Sequence, residues 1–88
     1  MELVYLKSPT GQQHERALKV FGHIWKKLPD LVYREVNPRD DPEYAAQFNI
    51  KYAPGIVIDG TLEFVGIPRE RMVLERIRQL QSRKEEEE

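Results

Sequence analysis

Cysteine is absent from the 88 residues of this chain, and the absence excludes a whole branch of chemistry. No disulfide can form, no thiolate nucleophile exists, and no Cys-ligated zinc or iron–sulfur cluster can be held. The usual redox clue to compartment is therefore silent. Histidine is almost as scarce. His14 and His23 are the only two, and their spacing gives no zinc site within one chain. No apolar run approaches the ~20 residues needed to cross a bilayer. The start, Met1–Leu6, lacks the basic opening and long apolar stretch of a secretory leader, so the cytoplasm is the expected location. The formal net charge is -1, which gives the chain as a whole no pull toward nucleic acid or anionic membranes. What is present is 40% hydrophobic and 33% charged. That composition suits one small domain with a compact core and a heavily solvated surface. High charge with few labile residues points to a thermophilic source.

The pattern of the chain supplies seven elements. Residues 2–7 alternate, with Leu3, Tyr5 and Lys7 on one face and Val4 and Leu6 on the other, so they read as a buried strand. Ser8-Pro9-Thr10-Gly11 is a turn. Thr10 and Gln13 fit a capping box, which starts a helix near Gly11. Ala17, Leu18, Phe21, Ile24, Trp25 and Leu28 form its apolar stripe, and Pro29-Asp30 ends it. Leu31–Val36 is a strand whose polar residues suit a sheet edge. Asp41 caps a short helix with Pro42 at its first position, running to about Phe48. Gly55–Ile58 and Thr61–Val65 are strands joined by Asp59-Gly60, a strong two-residue hairpin signal. A last helix runs from about Arg69 to Ser82 with Val73, Ile77 and Leu80 inward and Met72 and Leu74 flanking. Residues 1–82 thus form a single domain, and 83–88 are expected to be a charged, frayed tail.

The order is βαβαββα. A helix between the first two strands makes them parallel through a right-handed crossover, and the hairpin adds two antiparallel strands. The expected fold class is α/β: one four-stranded mixed sheet with helices on both faces.

That order resembles the thioredoxin/glutaredoxin-like superfamily, in particular the small single-domain thioredoxins of archaea and bacteria. The similarity covers residues 2–82. It rests on Ser8-Pro9-Thr10 leading into the helix, and on Tyr52-Ala53-Pro54-Gly55-Ile56-Val57-Ile58-Asp59-Gly60 followed by Phe64-Val65-Gly66-Ile67-Pro68. The resemblance implies that Gly11-Gln12-Gln13-His14 stands where relatives carry Cys-x-x-Cys. Gly11 then occupies the nucleophile position and His14 the resolving position. Dithiol exchange needs both thiols, so disulfide reductase, isomerase and one-cysteine glutaredoxin activities are excluded for this chain. The resemblance also implies a cis peptide bond before Pro54. It implies, too, that the backbone of Ala53 pairs with an extended peptide.

These residues define the expected site and its alternatives. The leading expectation is a redox-inactive, thioredoxin-like domain that binds a protein or peptide partner without covalent chemistry, as an adaptor or subunit. Its groove lies between the degenerate loop Gly11, Gln12, Gln13, His14 and the segment Tyr52, Ala53, Pro54, Gly55. Ala53, Gly55 and Gly11 are small and leave room for a strand-like segment, with Tyr52 as an aromatic rim. No cofactor and no metal is expected. A second reading is that the Gly11 helix end binds an anion such as phosphate or a glutathione-like molecule, helped by Lys7. A third gives His14 a non-thiol catalytic role. The helix N-terminus disfavours its imidazolium, and no partner beyond Glu15 is visible, so a surface histidine outweighs it. A fourth is a structural interaction domain whose contacts lie elsewhere, for instance on Leu31–Val36. The last helix carries Arg69, Arg71, Arg76, Arg78, Arg83 and Lys84, but Glu85–Glu88 oppose them and no RNA motif accompanies them. A solvated helix face therefore outweighs nucleic-acid binding. His23 is expected to be solvated, and Phe21, Trp25 and Phe48 to be core.

Overall fold

The computed structural model describes residues 1–8, 11, 13–49 and 54–87, the last four through their backbone alone. Its elements are β1 (Glu2–Leu6), α1 (His14–Lys27), β2 (Val32–Val36), α2 (Pro42–Ala46), β3 (Gly55–Ile58), β4 (Thr61–Val65) and α3 (Glu70–Glu87). The sheet order is β2-β1-β3-β4. β1 and β2 are parallel, and the β1–β3 and β3–β4 pairs are antiparallel. This is the expected four-stranded mixed sheet, with β2 at an edge. No helix among the described residues is long and apolar enough to cross a membrane.

Two cores form because side chains alternate across the pleat. Leu3, Tyr5, Ile56 and Ile58 project toward α1 and α3 and meet Ala17, Phe21, Ile24, Val73, Leu74 and Ile77. Val4, Leu6 and Val57 project the other way and meet Val36 and Ala45, with Tyr44, Phe48 and Leu62 packed alongside. Each large side chain so buried contributes about 1.5–3 kcal/mol. β1 sits between two strands and two helical layers, which is why Leu3 through Leu6 are all buried.

The local signals explain most boundaries. Asp41 caps α2, accepting from the Tyr44 N–H at 3.1 Å, with Pro42 at the first turn. Asp59 and Gly60 both have positive φ, 48° and 85°, as the mirror-type hairpin turn requires. A β-bulge interrupts the β3–β4 register: Ile56 faces Phe64, but Val57 faces Leu62. Glu63 is the extra residue. It reaches α3, where Arg76 Nε donates to it at 2.6 Å, and so ties strand to helix.

Four expectations are corrected. α1 begins at His14, not near Gly11, and its N-cap Gln13 makes no side-chain cap hydrogen bond. Gly11 and Gln13 have φ of 74° and 65°, a left-handed conformation that cannot continue a right-handed helix. Thr10, the other half of the expected capping box, lies outside the described residues. Leu18 and Trp25 are not core: they are 45% and 55% exposed. The stripe that reaches the sheet is Ala17, Phe21, Ile24 and Leu28. Leu18 and Trp25 lie farther round α1 and overhang the β2 edge, where the sheet stops. α2 ends at Ala46 and continues as turn through Asn49. α3 continues through Glu87 rather than ending near Ser82, as its run of Arg, Lys and Glu, all good helix formers, permits.

Candidate functional site

The register of β1 assembles the site. Leu6, at the end of β1, pairs with Gly55, at the start of β3. Lys7 and Ser8, which follow β1, and Pro54, which precedes β3, therefore lie at one end of the sheet. The parallel strand β2 ends at the same place, since Leu6 also pairs with Val36. In open α/β sheets the carboxyl ends of parallel strands, under a helix N-terminus, are where ligands are received.

The loop side is tightly turned. The Gly11 N–H donates to Ser8 C=O at 3.1 Å, and the His14 N–H donates to Gly11 C=O at 3.3 Å. Gly11 and Gln13 are exposed and Ser8 is buried. On the opposite side Pro54 and Gly55 are buried, and Pro54 C=O accepts from the Gly66 N–H at 2.6 Å. This bond locks the start of β3 to the end of β4. Gln12, Tyr52 and Ala53 lie outside the described residues, and so does the peptide bond joining Ala53 to Pro54.

His14 is more than a surface residue. Its ring stacks on Tyr5 with centroids 6.1 Å apart and planes 16° from parallel. Its Nδ1 lies 3.3 Å from the Tyr5 hydroxyl. Tyr5 is itself buried between His14 and Phe21. The expected lack of a partner is thus corrected: Tyr5 orients His14 from below.

Sequence reasoning missed a polar cluster that continues from this pair. Tyr5 is the register partner of Glu35 on β2. Glu35 Oε2 pairs with Lys7 Nζ at 3.1 Å, and its Oε1 accepts from the Tyr33 hydroxyl at 3.0 Å. Desolvation pushes the Glu35 carboxyl up, but the hydrogen bonds from Lys7 and Tyr33, with the nearby Lys7 and His14 charges, outweigh it and hold it below the ordinary value. Burial, then the Glu35 charge, pushes the Tyr5 phenol up. Tyr33 is raised further by burial, by its bond to Glu35 and by the Glu35 and Tyr5 charges. Both phenols are held neutral, so they serve as donors rather than nucleophiles. The alternation in β1 already placed Tyr5 and Lys7 on one face. Their partners on β2 required the register.

Elsewhere, His23 is exposed as expected but also bridges helices: its Nδ1 is 3.3 Å from Glu70 Oε2, and Lys27 Nζ is 2.9 Å from Glu70 Oε1. Those contacts fix α1 against α3 and lie away from the loop.

No family model matches the chain. A thioredoxin of Methanocaldococcus jannaschii is 32% identical to it over 72 residues, which is 81% of this chain and 85% of that protein.

Proposed function

This chain belongs to the thioredoxin family and contains no cysteine, and we propose that it is a redox-inactive member that binds an extended segment of a partner protein in the cytoplasm, as an adaptor or subunit. Thiol–disulfide exchange by its own side chains is chemically excluded, because neither an attacking nor a resolving sulfur exists.

One juxtaposition carries the reading. The Leu6–Gly55 pairing sets Lys7 and Ser8, which lead into the exposed Gly11–His14 turn, at the same end of the sheet as Pro54. On the loop side Gly11 is small and exposed; on the other side the main chain proposed to pair is that of Ala53, ahead of the buried Pro54 and Gly55. An extended peptide there would gain main-chain hydrogen bonds, with side-chain pockets setting preference. His14, backed by the buried Tyr5, and the Lys7–Glu35 pair would supply the polar groups there, suited to hydrogen-bonding a peptide rather than to reacting with it.

Chemical-shift mapping with a panel of extended peptides tests the proposal. The expected result is saturable shifts at Gly11, Gln13, His14 and Gly55, abolished by Pro54→Ala in a protein that keeps its fold. Shifts confined to other faces of the domain would overturn it. Saturation of Gly11 and Gln13 by inorganic phosphate or glutathione, with no response to peptides, would replace it with anion binding at the helix start. The uncapped Gln13 is the observation that keeps that second reading open.

A further inference from the structure

We propose that this chain forms a two-fold symmetric homodimer in which β2 pairs antiparallel with β2 of a second copy and the two α1 helices pack across the same axis. The exposed apolar residues point to this edge. Leu18 and Trp25 are two of the five large exposed hydrophobic residues among those described, and Val32, a third, is exposed on the same edge but on the opposite face of the sheet. Leu18 and Trp25, with Phe21, Gly22 and Tyr33, line an apolar cavity of about 240 Å³ in the surface beside β2. Scattered apolar residues need no explanation, but a contiguous patch beside the edge strand of a sheet does.

The backbone of β2 is arranged for a second strand. The Val32 N–H donates to Met1 C=O at 3.0 Å, and Val36 C=O accepts from the Lys7 N–H at 2.9 Å. Residues 32, 34 and 36 therefore point their main-chain groups at β1. Those of Tyr33 and Glu35 point outward. A two-fold axis at Arg34, the midpoint of β2, sets Tyr33 of each copy opposite Glu35 of the other. In an antiparallel ladder such outward-facing residues exchange both of their main-chain hydrogen bonds. The two Arg34 side chains would meet at the axis, but each guanidinium is drawn over its own Tyr44 ring, 5.3 Å from the centroid, on the opposite face from α1.

The helices select a second copy of this chain over an unrelated strand. Tyr33 lies against Leu18, Phe21, Gly22 and Trp25, so an axis at the middle of β2 also passes the middle of that helical stretch. About such an axis Leu18 of one copy meets Trp25 of the other, with Gly22 near the centre. Glu15 then faces Lys26 of the second copy, and neither has an ion-pair partner among the described residues of its own chain. The spacing agrees as well. A crossover helix lies over the gap between β1 and β2, so the two α1 axes would be two strand spacings apart, about 10 Å. Packed helices stand about 8–10 Å apart. One axis thus satisfies the strand register, the apolar stripe and the rim charges together.

The experiment is sedimentation equilibrium from micromolar to millimolar protein, with emission of the single tryptophan read in parallel. The expected mass rises from 10.4 kDa to twice that value, and Trp25 emission shifts to the blue over the same range. Gly22→Glu is the decisive variant. A Cβ at Gly22 meets nothing within 4 Å, so the monomer keeps its fold, while two carboxylates are forced together at the axis. Gly22→Glu and Leu18→Lys should both remain at the monomer mass with unchanged circular dichroism. A monomer mass for the wild type at millimolar concentration overturns the proposal. So does a dimer that survives both substitutions, or one that leaves Trp25 emission unmoved.

Discussion

Glu35 accepts from Tyr33 and pairs with Lys7 while 31% of its side chain stays exposed. A carboxyl whose folded-state value is lowered contributes stability above its unfolded value and loses it on acidification. The window here opens at the ordinary 4.5 and extends downward through the depressed folded-state value. Glu35→Gln should cost about 1 kcal/mol at neutral pH, read as a lower denaturation midpoint, and the difference from wild type should vanish in acid below that window. Tyr33 behaves in the opposite sense. Its phenol is raised above 10.0, so the unfolded chain loses this proton first and stability falls as the pH rises past 10.0. Thermal melts should show that alkaline decline, and Tyr33→Phe should flatten it. A Tyr33→Phe melt that declines as steeply as wild type would contradict the assignment.

At the scale of elements, the strongest local signals set boundaries and weaker ones yielded to packing. Asp41 with Pro42, and Asp59 with Gly60, define a helix start and a hairpin by chemistry confined to a few residues. Asp41→Ala should therefore cost about 1 kcal/mol, measured by denaturant unfolding with an unchanged slope. The capping-box pattern at Thr10 and Gln13 did not set the start of α1, because the left-handed backbone at Gly11 and Gln13 moves the first helical residue to His14. The β4 bulge had no signature in the strand's composition. It arises because Glu63 can pair with Arg76 while Leu62 and Phe64 each keep their own core.

For the whole molecule, the absence of cysteine carries the clearest expectation. Insulin-disulfide reduction should stay at background at every pH, and unfolding curves with and without dithiothreitol should superimpose, since no bridge constrains either state. Any turnover above background would show that the loss of thiols does not end the chemistry. The sequence by itself determined the element order, the alternation that gives β1 two buried faces, the edge position of β2 and the exclusion of thiol catalysis. Each of these depends on neighbours along the chain or on composition alone. Only the tertiary structure decided which residues of α1 reach the core, because the sheet ends at β2 and leaves Leu18 and Trp25 overhanging it. Only the register joined Tyr5, His14, Lys7, Tyr33 and Glu35. These residues lie on different elements, and a strand's alternation fixes the face a side chain takes but not the partner it meets there.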